Sequence, residues 1–278
     1  HVRSRRQRQM CIRDRGTDFG GWKIVIGGSA LNRALYEAAK AKGIQLTAAY
    51  GMSETGPLVS CAHLNDELMA GSEDERTTYR IKAGVPGPLV EAAIIDAEGN
   101  FLPADGEAQG ELVLRAPWLS EGYFNEPQKG AELWEGGWLH TGDVATLDSM
   151  GVIDIRDRIK DVIKTGGEWI SSLDLEDLIS RHAAVREVAV VGIADPQWGE
   201  RPFALLVIRE GHEIGARELK EHLKPFVELG HLSKWAIPSQ IALVTEIPKT
   251  SVGKLDKKRI RVDISEWQAS NSTFLSTL

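Results

Sequence analysis

Trp22-Lys23-Ile24-Val25-Ile26-Gly27-Gly28-Ser29, together with the run over residues 44–50, decides how this chain folds. The first run is short and β-branched, glycines break it, and Leu31, Leu35, Ala38 and Ala39 then recur at helical spacing up to Gly43. A second apolar run follows at once and ends at Tyr50. Strand, glycine turn, helix and strand make a βαβ unit, whose strands run parallel. Ligands of such sheets sit beyond the carboxyl ends of the strands, which here are Gly27-Gly28-Ser29 and Tyr50-Gly51-Met52-Ser53-Glu54. Both loops therefore point at one site.

Downstream the pattern changes. Residues 62–82 are polar, without clear periodicity, and read as a surface loop. Residues 90–95 and 110–115 are short strands around the turn Ala97-Glu98-Gly99-Asn100, and 138–144 with 152–156 flank a turn at 148–151. These predict a small antiparallel sheet or distorted barrel beside the α/β layer. Past Lys160 come a hairpin over 161–171, a helix over 173–182, strands over 188–193 and 203–208, a helix from Ala216 to near Leu229, a strand over 240–244 and a basic helix near 254–262. That is a compact α+β unit of roughly 100 residues, an ordinary domain size. The expected fold class is α/β: a partial doubly wound large domain with a small β-barrel-like subdomain over 16–159, then a compact α+β C-terminal domain over 160–265 and a tail over 266–278.

Composition narrows the function classes. The 278 residues include two cysteines, Cys11 and Cys61, too few for a disulfide framework, and no His or Cys pair has zinc-site spacing. No run approaches the roughly eighteen apolar residues of a membrane span, and a cytoplasmic protein is expected. The net charge of −7 hides a basic block, since Arg3, Arg5, Arg6, Arg8, Arg13 and Arg15 stand against Asp14 alone in the first fifteen residues. A nucleic-acid-binding arm, an Arg-rich transit peptide and sequence foreign to the protein are the three readings of that block. The codons ATG TGT ATA AGA GAC AGR encode Met10-Cys11-Ile12-Arg13-Asp14-Arg15, resembling a transposon-end library adapter, and the chain begins at His1 rather than Met. Residues 1 to about 15 are therefore expected to be read-through, and no nucleic-acid partner is expected for the acidic remainder.

Four segments carry the chemistry: Tyr50-Gly51-Met52-Ser53-Glu54-Thr55; Gly137-Trp138-Leu139-His140-Thr141-Gly142-Asp143; Arg156-Asp157-Arg158-Ile159-Lys160-Asp161 running into Lys164-Thr165-Gly166-Gly167-Glu168; and Pro248-Lys249-Thr250-Ser251-Val252-Gly253-Lys254. Each alone is weak; in this order and spacing they resemble the adenylate-forming superfamily of acyl-CoA synthetases, luciferases and peptide-synthetase adenylation domains. Ala194-Asp195-Pro196-Gln197-Trp198-Gly199-Glu200-Arg201-Pro202 and Lys234-Trp235-Ala236-Ile237-Pro238 look most like the medium-chain fatty acyl-CoA ligase branch, which includes ligases for methylmercaptopropionate. Trp198 and Trp235 read first as packing residues.

The resemblance implies ATP, Mg²⁺ and CoA as co-substrates and cofactor, with a small carboxylate as substrate. A carboxylate attacks the α-phosphate, pyrophosphate leaves, and a thiol then displaces AMP. An anion must approach an anion, so cations have to screen the encounter. By resemblance Glu54 holds Mg²⁺, Ser53 bonds phosphate, Tyr50 beside Gly51 stacks on adenine, and Gly28 with Ser29 forms the adenine-side loop. The bland reading of the second loop is a Ser53 N-cap on a helix starting at Glu54. Asp143 accepts from ribose hydroxyls, assisted by Arg158, and Lys164 reaches the adenylate. Gly166 and Gly167 line the CoA passage, and Lys160 is the hinge about which the small domain swings. Lys254, a flexible point cation on an exposed glycine-rich loop, is the expected catalytic residue, reaching the carboxylate and α-phosphate together; its bland reading is a basic helix start beside Lys257 and Lys258. Asn32 stands where related ligases have Pro.

The superfamily's Ser/Thr/Gly-rich triphosphate loop does not occur in these residues. The expected protein is thus the C-terminal half of an ATP-dependent acyl-CoA ligase, inactive by itself, with homo-oligomerisation left open. A truncated non-catalytic nucleotide-binding homologue, a ligase for another acid and a nucleic-acid-binding protein are the competing readings.

Overall fold

The computed structural model describes residues 19–251, 253–269 and 275–277, so the arginine block and its read-through expectation lie outside it. The chain divides into two compact units, one ending at Gly87 and one beginning at Pro88.

In the first unit, β1 (Lys23–Ile26), α1 (Arg33–Lys40) and β2 (Gln45–Tyr50) form the expected βαβ unit, with Lys23 to Ile26 in parallel register against Gln45 to Ala48. Tyr36 and Ala39 of α1 pack with Leu31, Leu46, Ala48 and Ala62. Asn32 takes over the helix start, its Oδ1 accepting the Leu35 N–H at 2.8 Å. Short antiparallel strands β3 (Ser60–Cys61) and β4 (Val85–Pro86) complete the sheet in the order β1-β2-β3-β4. Among the described residues β1 is one edge of this sheet and β4 the other, and Trp22 and Val25 are exposed.

Residues 62–82 are not simply a loop, because they fold into α2 (Asp66–Ala70) and α3 (Glu73–Arg80). Polar groups rather than an apolar stripe hold them. Asn65 caps α2 through the Leu68 N–H, and Ser72 with Glu75 forms a reciprocal capping box on α3. Arg33 of α1 reaches Asp74 at 2.6 Å and Thr78 at 2.7 Å.

The second unit begins with an antiparallel sheet of β5 (Glu91–Ile95), β6 (Gly110–Arg115), β7 (Leu139–Leu147) and β8 (Ile153–Arg158), in that spatial order. It is an open meander; the barrel-like closure expected from the sequence does not occur, since β5 and β8 remain its edges. Helix α4 (Pro127–Leu133) lies between β6 and β7 in the chain. The α+β part follows with β9 (Ile163–Thr165), β10 (Glu168–Ile170), α5 (Ser172–Ser180), β11 (Val185–Asp195), β12 (Gly199–Ile208), α6 (Ala216–Glu228), β13 (Gln240–Leu243), α7 (Lys257–Ala269) and β14 (Leu275–Thr277).

Strands β11 and β12 read as unbroken apolar runs because both of their faces are covered. Val188, Val190, Ala204 and Leu206 face a core that includes Leu175 and Ile179 of α5 and Leu219 and Leu223 of α6. Ala189, Val191, Phe203 and Leu205 face Ile260 and Ile264 of α7. Leu206 is fully buried. Leu206→Ala is expected to lower unfolding free energy by about 2–5 kcal/mol, read as a shift of the urea midpoint at constant slope.

Candidate functional site

Strand β7 does not run smoothly past β6. Val113 pairs with His140 and Glu111 with Val144, so Leu112 alone faces Thr141, Gly142 and Asp143. This is a bulge, a device that re-aims a side chain. Gly142 adopts φ +68°, a left-handed conformation that glycine reaches without steric cost. The Thr141 hydroxyl donates to the Leu112 carbonyl at 2.7 Å and accepts the Asp143 N–H at 3.1 Å. Glu111 fastens the other side, with Oε1 accepting the Gly142 N–H at 2.9 Å and Oε2 lying 3.0 Å from His140 Nδ1. The second ring nitrogen of His140 is 3.1 Å from the Glu135 carbonyl.

The bulge presents Asp143, a buried carboxylate, opposite Arg158 in the β7–β8 register. Arg158 Nε lies 3.3 Å from Asp143 Oδ1, while the Arg158 side chain is largely exposed. An acceptor carboxylate beside an exposed guanidinium suits a polyhydroxyl ligand that both donates and accepts. The two residues paired by the sequence reading are therefore neighbours.

In the first unit, Tyr50 ends β2 and is half-buried, and the chain then folds back tightly. A Cβ on Gly51 would stand 1.8 Å from the Pro57 carbonyl oxygen, so only glycine fits. Ser53–Thr55 forms a single 3₁₀ turn with Met52 at its N-cap, so Ser53 lies inside the turn and does not cap a helix from Glu54 as in the bland reading. Thr55 rather than Ser53 fastens this turn: its buried hydroxyl accepts the Met52 N–H at 2.9 Å and lies 3.0 Å from the Met52 carbonyl. Ser53 is exposed and Glu54 half-buried at the carboxyl end of β2, while Gly28 and Ser29 are exposed at the end of β1. Among the described residues no three His, Cys, Asp or Glu side chains cluster as metal ligands.

Past Arg158 the chain turns sharply, Asp161 and Val162 both donating to the Arg158 carbonyl at 2.8 Å, with Lys160 exposed just before them. Gly166 and Gly167, at φ +58° and +85°, form the two-residue turn of the β9–β10 hairpin, the twist that left-handed residues supply. Lys164 is exposed, its Nζ 5.4 Å from the Trp169 ring centroid. Trp198 and Trp235 stack with centroids 4.5 Å apart, and Trp235 packs against the α5–α6 core, in line with a packing role. Lys254 is exposed on a closed turn, where the Thr250 N–H donates to the Lys254 carbonyl and the Gly253 N–H to the Thr250 carbonyl, each at 2.8 Å.

Two family models match in chain order, AMP-binding enzyme over residues 3–124 and AMP-binding enzyme C-terminal domain over residues 174–254. The chain belongs to the AMP-binding enzymes. A long-chain-fatty-acid–CoA ligase of Thermus thermophilus is 42% identical over 240 residues, which are 86% of this chain and 43% of the relative. A 3-methylmercaptopropionyl-CoA ligase of Ruegeria lacuscaerulensis is 37% identical over 88% of this chain and 44% of its own length. Among solved structures, the o-succinylbenzoate CoA synthetase of Bacillus subtilis, in complex with its acyl-adenylate intermediate, aligns with a TM-score of 0.72 at 28% identity, over 86% of this chain and 46% of that one. The chain thus spans less than half the length of the relatives it matches.

Two residues of this AMP-binding chain escaped sequence reasoning. Thr55 stood inside a quoted motif, but its role as the fastener rests on a fold-back that periodicity does not show. Glu111 gave no signal at all, because its partner Gly142 is distant in sequence. Glu111→Ala leaves the Gly142 N–H and His140 without their carboxylate, a loss of about 1–3 kcal/mol in local stability. Amide exchange at Gly142 should accelerate about tenfold or more. Unchanged protection would mean that Glu111 does not hold the bulge.

Proposed function

We propose that these residues are the C-terminal half of an ATP-dependent fatty acyl-CoA ligase, which joins a carboxylate to AMP with release of pyrophosphate and then passes the acyl group to the CoA thiol. The observation that carries this reading is the Asp143–Arg158 pair on the β7 bulge, in a chain similar to acid–CoA ligases along most of its length.

In this reading Asp143 accepts from the ribose hydroxyls and Arg158 donates to the same sugar. Tyr50 offers its ring to adenine, and Gly28-Ser29 and Ser53 offer polar groups at the ends of β1 and β2. Glu54 fits a divalent cation in the way one carboxylate serves Mg²⁺, with phosphate oxygens and water completing the shell; that ion neutralises phosphate charge when bound. Lys254 supplies a cation to the approaching carboxylate and α-phosphate, and its exposure on a closed turn lets the long side chain reach while its base stays fixed. Lys160 is the hinge between the two half-reactions, Lys164 approaches the adenylate, and Gly166-Gly167 borders the CoA path. The free, exposed Cys61 is at home in the reducing cytoplasm.

A methylmercaptopropionate ligase is the second reading, favoured by the 37% identity to the Ruegeria enzyme. ATP–pyrophosphate exchange by the full-length protein over C3 to C12 acids and methylmercaptopropionate separates the two, and exchange with none of them would point to a non-catalytic nucleotide-binding homologue. The 278-residue stretch alone, which holds no triphosphate loop, should give no exchange. In the full-length protein Lys254→Ala is expected to slow adenylation by about 10²–10³ and to spare thioester formation from supplied acyl-adenylate. Equal losses in both half-reactions would remove Lys254 from this role.

A further inference from the structure

The functional reading leaves one buried charged cluster unused. Asp157, Ser172 and Lys257 are all at least nine-tenths buried, at 2%, 0% and 8% exposure. Asp157 Oδ1 accepts the Arg158 N–H at 2.8 Å, and Oδ2 accepts both the N–H and the hydroxyl of Ser172 at 2.6 Å. The Ser172 oxygen in turn accepts from Lys257 Nζ. Lys257 also pairs with Glu176 at 2.9 Å, whose Oε1 takes the Val190 N–H at 2.8 Å. Buried charge persists only where such partners exist, and here every member has one.

The placement of this chain of bonds gives it meaning. Asp157 lies before Lys160 and beside Arg158, whereas Ser172 starts α5 after Lys160. The bonds between them therefore cross the hinge, as does the bond from the Ser171 hydroxyl to the Arg156 carbonyl at 2.6 Å. Lys257 starts α7, three residues past Lys254, and Asp256 N–H donates to the Pro248 carbonyl at 2.9 Å, so the start of α7 is bonded to the segment that leads into the Lys254 turn. Arg261, one turn along α7, donates to the Lys160 carbonyl at 3.1 Å and to Asp161 at 2.8 Å.

We propose that Asp157, Ser172 and Lys257 form a latch across the hinge, which fixes the base of the Lys254 turn against the ribose-side strand in one of the two working arrangements and is released in the other. A rotation at Lys160 that moves residues 161 onward away from β8 must break the Asp157–Ser172 bonds. Lys257 keeps Glu176 throughout, since both lie on the same side of the hinge, so release never strands a bare buried cation. Asp157 is the member that changes partners. These are positioning residues, and the proposal rests on the ligase reading with its hinge at Lys160.

The test uses full-length protein with Asp157→Asn, Ser172→Ala and the pair combined. ATP–pyrophosphate exchange reads adenylation, and CoA-dependent release of AMP from supplied acyl-adenylate reads the second step. Each single variant should change the ratio of the two rates about tenfold or more, both in the same direction, and the double variant should add less than the sum of the two because both substitutions weaken the same Asp157–Ser172 contact. Equal falls in both rates, or an unchanged ratio, overturn the latch. Should the unsubstituted protein show neither step, the ligase reading fails, and hydrogen exchange decides the latch separately. Asp157→Asn should accelerate exchange of the Ser172 amide about tenfold while leaving Leu205 in β12 unchanged; equal acceleration at both, or none at Ser172, overturns it.

Discussion

A carboxylate held nearly out of water at a break in a strand is the constraint around which the second unit is arranged. Asp143 can sit there only because β7 carries two residues too many against Leu112, and that excess is tolerable only because Gly142 takes a left-handed conformation and Glu111 receives its N–H. The β7–β8 hairpin then has to return in a register that sets Arg158 across from Asp143. Two residues beyond Arg158 lies Lys160, so one member of the proposed sugar-binding pair stands next to the proposed hinge in the chain. The proposed hinge therefore follows directly on the strand that pairs with Asp143.

The α+β part solves a different difficulty. In the role proposed for Lys254, a lysine meeting two converging anions has to be long, mobile at its tip and stationary at its root. Strands β11 and β12, covered on both faces, supply the stationary part, with Ile260 and Ile264 of α7 buried against one of those faces. The turn carrying Lys254 closes on itself through Thr250 and continues directly into α7. The long side chain then supplies the reach that a point cation needs in that role.

How much of this was legible in the sequence depended on the reach of each interaction. The βαβ unit was readable because β-branched runs, glycines and a helical period are all local. Strand positions in the second unit were readable for the same reason, though β11 and β12 run on past their apolar runs through continued antiparallel pairing as far as Asp195 and Gly199. Helices α2 and α3 were missed because their stability lies in caps and in Arg33, not in apolar periodicity, although Ser72-x-x-Glu75 was a usable start signal. Barrel closure was a guess that alternation cannot decide, since it depends on whether edge strands meet. The motif residues could be named from resemblance, while their fasteners Glu111 and Thr55 could not. Lys257 shows the limit most clearly: it stands beside Lys258 in a basic stretch, yet one is buried against Glu176 and the other faces water. Charge patterning counts lysines and does not say which one turns inward.

That inward lysine also bears on the polar bonds that cross the proposed hinge at Lys160. An apolar interface exposed whenever the proposed hinge opened would cost about 25 cal/mol for each Å² wetted. A hydrogen-bonded carboxylate released from Ser172 regains water, so most of its interaction is exchanged and not lost. Buried ion pairs contribute little net stability compared with apolar groups of the same volume, but they demand a single geometry. For a contact that has to form and break while fixing position, low net stability and strict geometry are both assets. The Lys257–Glu176 pair, which stays on one side of the hinge, confines that exchange to Asp157, the residue bonded to the backbone of Arg158.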